Sequence, residues 1–124
     1  MEDKLYFYKA IVTKVTDGDT IVLDIDVGFN FWLKGESVRF LRINAYETRL
    51  GSKTTAEMKI IGLKAKEYVK NLIENKEVII KTKLDGNRGK YGRILVEVYY
   101  FKDEELINLN DELVKLSYAV YQQY

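Results

Sequence analysis

Apolar and polar residues alternate through the first third of the chain, with the period of two that half-buried β-strands show. The run from Leu5 to Val15 is rich in Tyr, Phe, Ile and Val, which favour strands. From Ile21 to Val27 the odd positions are apolar and two of the even positions are aspartates. The dipeptide Asp17-Gly18 separates these runs and predicts a two-residue hairpin turn. A third run, Val38 to Asn44, alternates in the same way and predicts a third strand.

The spacing of apolar residues changes to that of a helix after Thr54. Thr54 and Glu57 have the spacing of a capping box, and apolar residues then recur on one stripe to about Glu74. Two further strands follow, "EVIIKTKL" and "RILVEVYY", on either side of the Gly-rich basic segment "DGNRGKYGR". The run "NLNDELVKLSYA" predicts a second, shorter helix, for which Asn108 and Asn110 are both candidate N-caps.

The order of these elements predicts an α+β fold. Three strands, a helix, two strands and a helix are most simply arranged as a small five-stranded barrel with two helices. The chain has 124 residues, no proline, no Ser/Gly-rich linker and no internal repeat. We therefore expect a single domain that spans residues 1–124.

The composition excludes several kinds of site. The chain contains no cysteine and no histidine, which removes disulfides, zinc fingers, thiol nucleophiles and histidine general bases. Any bound metal would be a hard cation held by oxygen atoms. The net charge of +1 is far below that of a strongly basic nucleic-acid-binding protein, so nucleic-acid binding would require a locally basic cleft.

The sequence carries no sign of export or of a membrane span. The segment "MEDKLYFYKA" lacks the basic and apolar regions of a signal peptide, and no apolar run is long enough to cross a bilayer. We therefore expect a cytoplasmic protein that does not act at a membrane, with secretion left open.

Four polar features interrupt the apolar pattern: "DGDT" with Asp19, Arg39 inside a strand, Glu47 just after that strand, and "KYGR" ending at Arg93. Each has an ordinary interpretation when it is taken alone. Asp19 can bond the backbone of its own turn, Arg39 can pair with a strand carboxylate such as Asp24, and Glu47 and Arg93 can be solvated. Together they favour a site, because charges clustered on strands are otherwise costly.

In this order and spacing the four features resemble the staphylococcal nuclease (thermonuclease-like) family, from about Val12 to the last helix. The resemblance implies an OB-fold β-barrel with helices that hydrolyses DNA and RNA with Ca²⁺. It implies that Asp19 is a metal ligand, that Arg39 and Arg93 bind the phosphate, and that Glu47 activates or orients the attacking water.

The same resemblance assigns two residues to substrate binding and shows one departure. Lys90 and Tyr91 match residues that contact a nucleotide phosphate, and Tyr91 could instead stack on a base or pack on the backbone of its own loop. The segment "NAYE" stands where the family commonly has Asp-Thr-Pro-Glu, so Asn44 replaces a second metal-binding aspartate. Asn44 and the Ala45 carbonyl still offer oxygen ligands, but with less charge, so we expect Ca²⁺ or another divalent ion.

The chemistry of phosphodiester hydrolysis fits these residue types. A metal ion and bidentate guanidinium groups stabilise the extra negative charge at phosphorus, and neither His nor Cys is needed. With the resemblance, these residues lead us to expect a nuclease that cleaves DNA, RNA or both and that prefers single strands as the family does. We expect it to act as a monomer or weak dimer. A non-catalytic OB-fold that binds single strands is the alternative. An interaction domain without a nucleic-acid role is a third hypothesis.

Overall fold

The computed structural model describes residues 5–45, 56–82 and 94–122. The described residues form strands and helices with these bounds: β1 Phe7–Asp17, β2 Thr20–Gly28, β3 Phe31–Phe40, β4 Ile43–Ala45, α1 Ala56–Ile73, β5 Glu77–Thr82, β6 Ile94–Lys102, β7 Glu105–Asn108, α2 Leu109–Lys115 and β8 Ala119–Tyr121. The order of elements that the sequence predicts is present, with three additional short strands, β4, β7 and β8.

Five of the strands close into a barrel. Strands β1, β2 and β3 form an antiparallel meander, and β5 pairs with the other edge of β1. Strand β6 pairs antiparallel with β5 and parallel with β3, which closes the ring. This is the five-stranded barrel of an OB-fold, and with the two helices of the described chain it confirms the predicted α+β class. Strand β7 pairs antiparallel with β6, and β4 pairs with β8 outside the ring.

The barrel interior is filled by the apolar face that the alternation predicts. Ile21, Leu23 and Ile25 of β2 are buried, and so are Val38 and Phe40 of the neighbouring strand β3. Helix α1 packs on the barrel through four buried positions with helical spacing: Gly62, Ala65, Val69 and Ile73. Its observed start and end lie close to those predicted, although the proposed cap Thr54 lies outside the described residues.

Helix α2 resolves the choice between the two candidate N-caps. The side chain of Asn108 accepts a hydrogen bond from the Asp111 amide at 3.0 Å, so Asn108 is the cap. Asn110 is fully buried and bonds backbone groups instead: it accepts from Val98 N and donates to Leu41 O and Val96 O. It thereby anchors α2 to β6.

The hairpin turn between β1 and β2 lies one residue later than predicted. Asp17 pairs with Thr20, so the two turn residues are Gly18 and Asp19. A Cβ at Gly18 would lie only 3.0 Å from the Ala65 Cβ on helix α1. Glycine is therefore needed here because the turn touches the helix, and Asp19 is itself part of the turn.

The third strand ends earlier than the predicted run from Val38 to Asn44. Strand β3 ends at Phe40, and the chain turns at Leu41 and Arg42 before β4 begins at Ile43. Arg42 has a φ of 69°, in the left-handed region. The turn shifts the phase of the alternation, so Phe40 and Ile43 are both buried although a continuous strand would place them on opposite faces. Neither described helix is long and apolar enough to span a membrane.

Candidate functional site

The carboxylate of Asp19 lies at the centre of a small buried polar cluster. Its Oδ2 accepts a hydrogen bond from the Ala45 amide at 2.9 Å and one from Arg39 Nη2 at 3.2 Å. Its Oδ1 accepts from the Thr20 hydroxyl at 3.2 Å. Because the side chain is only 10% exposed, these bonds fix its position. The hydrogen bonds of Asp19 thus reach strands β3 and β4 rather than serving its turn alone.

Arg39 points into this cluster from strand β3. It lies directly across from Thr20, one residue past Asp19, and its side chain is 14% exposed. Its Nη2 donates to Asp19 and, at 2.8 Å, to the Oδ1 of Asn44. The alternative partner Asp24 instead accepts from the Gly35 amide at 2.9 Å and pairs with Lys34. Among the residues that the structure describes, Asp19 rather than Asp24 is therefore a carboxylate partner of Arg39.

Strand β4 brings the other two predicted metal ligands to the same place. Asn44 is exposed and Ala45 is buried, and they pair with Val120 and Ala119 of β8. Asn44 offers its amide oxygen to Arg39, and Ala45 offers its N–H to Asp19. Both interactions connect the short β4 strand to the end of the β2–β3 ribbon.

The oxygen donors of this cluster suit a hard cation. Among residues 5–45, 56–82 and 94–122, no three acidic or histidine side chains lie close enough together to form a metal site. The donors at hand are the Asp19 carboxylate and the Asn44 amide oxygen, both of which Arg39 holds on one nitrogen. Such donors fit Ca²⁺ chemically, but a single negative charge binds it more weakly than two.

The remaining predicted site residues lie outside the described part of the chain. These are Glu47, Lys90, Tyr91 and Arg93, and their roles stay predictions. The described backbone ends two residues before Glu47, at Ala45. It resumes directly after Arg93, where Ile94 pairs with Val38, the neighbour of Arg39.

A second polar cluster surrounds Arg42, at the turn between β3 and β4. Arg42 Nε donates to Glu97 Oε2 at 2.6 Å, and its Nη2 donates to Glu97 Oε1 at 2.8 Å and pairs with Asp111 at 3.0 Å. Glu97 is only 8% exposed in the middle of β6. The hydrogen bond with Glu97 raises the pKa of Arg42 further above its usual value. A lone glutamate at a buried strand position, as in "LVEVYY", was the signal for this pair.

A third cluster joins helices α1 and α2 to strand β6. The hydroxyl groups of Tyr68 on α1 and Tyr100 on β6 both donate to the Glu112 carboxylate on α2. Burial, followed by the hydrogen bond with Glu112, raises the pKa of Tyr68 to about 12 and raises that of Tyr100 as well. These groups stabilise helix packing and lie outside the Asp19 cluster.

The chain is similar to known proteins over most of its length. The family model described as staphylococcal nuclease homologue matches residues 37–124. An uncharacterised protein of Methanocaldococcus jannaschii is 34% identical over 126 residues, which cover 90% of this chain and 58% of that protein. Endonuclease YhcR of Bacillus subtilis is 34% identical over 114 residues, which cover 90% of this chain but 9% of the endonuclease. The chain therefore spans only part of each relative.

Proposed function

Because the chain belongs to the staphylococcal nuclease homologue family, we propose that it is a nuclease that hydrolyses phosphodiester bonds of DNA, RNA or both, with a preference for single strands. The observation that supports this most is the largely enclosed guanidinium of Arg39, held by Asp19 and Asn44 at one end of the barrel. We further propose that residues 1–124 act as one domain, as a monomer or weak dimer.

Arg39 and Arg93 would bind the phosphate that is attacked. The planar guanidinium fork matches two phosphate oxygens, and a group fixed before the reaction needs no reorganisation as charge builds up. Arg39 is fixed in this way, because Asp19 and Asn44 accept hydrogen bonds from the same nitrogen. Arg93 directly precedes the strand that pairs beside Arg39.

Asp19 and Asn44, with the Ala45 carbonyl, would hold the divalent ion. When bound, the ion would offset negative charge on the phosphoryl oxygens. The Asp19 carboxylate is also the ion-pair partner of Arg39, so its negative charge is balanced by the guanidinium before any metal ion binds. Calcium fits the oxygen donors. Because Asn44 is neutral, we propose that the site binds Ca²⁺ more weakly than a site with two carboxylates, or that it prefers another divalent ion.

Glu47, Lys90 and Tyr91 would complete the site. A carboxylate near the phosphate can take a proton from water or orient it, and this is the role of Glu47. Lys90 would contact the nucleotide phosphate as a point charge. Tyr91 would contact the phosphate through its hydroxyl or stack on a base, a contact worth about 1–3 kcal/mol.

Cleavage of heat-denatured DNA and of RNA tests the proposal. The purified chain is assayed with Ca²⁺, Mg²⁺ or Mn²⁺ and with a chelator, next to the variants Glu47→Gln and Glu77→Gln. Glu77 is an exposed residue at the start of β5 and serves as the matched control. We expect cleavage that requires a metal, disappears in Glu47→Gln and persists in Glu77→Gln. Metal-independent cleavage, or full activity of Glu47→Gln, would contradict the assigned roles.

A binding module is the second candidate, and the neutral Asn44 in a metal-ligand position favours it. OB-fold barrels bind single strands without chemistry, and such binding weakens with salt but needs no metal. Salt-sensitive binding of denatured DNA, with no cleavage in the presence of any of the three ions, would contradict the nuclease proposal and support the binding function.

A further inference from the structure

Arg42 links strand β4 to three other elements of the structure through its side chain and its backbone. Its guanidinium binds Glu97 of β6 through two nitrogens and Asp111 of α2 through one. Its backbone carbonyl accepts from the Gln122 amide at 2.8 Å, just past β8. The hydroxyl of Tyr121, on β8, donates to the same Asp111 carboxylate at 2.9 Å. Arg42 itself immediately precedes β4.

Strand β4 is otherwise held by the buried side chains of Ile43 and Ala45 and by its pairing with β8. It has three residues, and its partner β8 also has three. A two-stranded ribbon of this length is not stable by itself. Yet β4 carries Asn44 and Ala45, whose side chain and N–H complete the surroundings of Arg39 and Asp19.

The backbone of Arg42 also has an unusual conformation for an arginine. Its φ of 69° lies in the left-handed region, which glycine adopts without cost and other residues seldom adopt. A residue persists in such a conformation where its surroundings over-determine it. Glu97 supplies that constraint, because it is buried, accepts from two Arg42 nitrogens and is also bonded to Asn108 Nδ2 at 3.1 Å.

From these contacts we propose that Arg42 is a positioning residue for the candidate active site. Its pairing with Glu97 and Asp111 sets the position at which the chain leaves barrel strand β3 and enters β4. That position determines whether the Ala45 amide and the Asn44 oxygen reach Asp19 and Arg39. The catalytic consequence rests on the proposed nuclease function, whereas the structural consequence does not.

The double variant Arg42→Gly/Glu97→Gln is the direct test. Glycine accepts the left-handed φ, and glutamine avoids leaving a buried charge without its partner. The matched control is Asp24→Asn, which removes a carboxylate from the pair with Lys34 on the β2–β3 hairpin. The first readout is amide hydrogen exchange at Ala45 compared with Ile80, a buried residue of β5. The second is the separation of kcat from KM on denatured DNA.

We expect exchange at Ala45 to accelerate by about tenfold or more in the double variant while Ile80 changes far less, because only β4 is released. We expect kcat to fall by about tenfold or more with a smaller change in KM, as when a catalytic group is slightly misplaced. Arg42→Lys, which keeps the charge without the fork, should fall between the wild type and the double variant. The control should resemble the wild type.

Equal acceleration at Ala45 and Ile80 would show that the cluster only stabilises the whole fold, and would overturn the proposal. Wild-type exchange at Ala45 in the double variant would overturn it as well. If the double variant does not fold, the exchange of the Ala45 and Ile80 amides is measured in Glu97→Gln alone, and faster exchange at Ala45 than at Ile80 is again required. If the wild type cleaves no substrate, the nuclease proposal fails, and the exchange comparison still decides the role of Arg42.

Discussion

The carboxylate of Asp19 accepts a hydrogen bond from the backbone amide of Ala45 at 2.9 Å, and so joins the β1–β2 turn to a strand that the sequence places 26 residues later. The same oxygen pairs with Arg39. One side chain thus fixes the turn, the guanidinium and the strand that carries Asn44. This threefold contact explains why a carboxylate follows the glycine in "DGDT".

Replacing Asp19 by Asn should affect both stability and cleavage. Arg39 is only 14% exposed and would lose the negative charge of Asp19, so we expect the free energy of unfolding to fall by about 1–3 kcal/mol. We also expect metal-dependent cleavage to be lost, because the asparagine carries no charge. Urea unfolding and initial cleavage rates measure the two effects. Asp26→Asn, on the exposed half of the same strand pair, is the control and should change neither.

Adding a methyl group at Gly18 should move the turn away from helix α1. A Cβ there would lie 3.0 Å from the Ala65 Cβ and 3.2 Å from the Ala45 Cβ. We expect Gly18→Ala to destabilise the fold by about 1–3 kcal/mol, the usual cost of overpacking. Removing the Ala65 methyl in Gly18→Ala/Ala65→Gly should recover part of that loss. Additive losses in this thermal-unfolding cycle would show that the two positions do not compete for space.

Substituting Phe29 should stabilise the protein. Phe29 and Asn30 both have positive φ at the tip of the β2–β3 hairpin, a conformation that Asn and Gly adopt more readily than Phe. Phe29 is also 94% exposed, so it contributes little to packing. We expect Phe29→Asn to raise the free energy of unfolding by about 0.5–1 kcal/mol. Phe31→Asn, at an exposed position on the strand, should give no such gain; an equal gain there would indicate another cause.

Alkaline pH should weaken the fold through Tyr68 and Tyr100. Burial and the hydrogen bond with Glu112 raise both pKa values, that of Tyr68 to about 12, whereas an unfolded tyrosine titrates near 10. Their contribution to stability is therefore complete below about pH 10 and is lost as the pH rises toward 12. Chemical unfolding across this range should show the decline. The Tyr68→Phe/Tyr100→Phe variant should show a flatter profile; an equally steep decline would assign it to other groups.

The strands and helices follow closely from the sequence because each has a clear local period. Ile21, Leu23 and Ile25 are buried as the alternation predicts, and helix α1 has the predicted stripe. The misplaced turn has a different origin. Glycine at position 18 looks like a turn residue in the sequence, but it is needed because Ala65 approaches it from a helix far along the chain. Local patterns carry no information about that approach.

The site is less accessible to sequence reasoning than the strands that carry it. The grouping of Asp19, Arg39 and Asn44 depends on β4, a strand of three residues that follows a left-handed arginine. Continuous alternation from Val38 to Asn44 hides that break, since the apolar residues continue on both sides of it. The ion pair of Arg42 with Glu97 spans 55 residues, and the isolated glutamate in an apolar strand is the sequence feature that could have indicated it.

The initial rate of cleavage of denatured DNA by Arg39→Lys is the most direct test of the central claim. Lysine keeps the positive charge opposite Asp19 but lacks the planar fork that binds two phosphate oxygens. Circular dichroism and thermal unfolding establish that the variant is folded. We expect the rate to fall by about 10²–10³-fold in a folded protein, as when a fixed donor to the transition state is lost. A folded Arg39→Lys protein with the wild-type rate would contradict the assignment of this cluster as the active site.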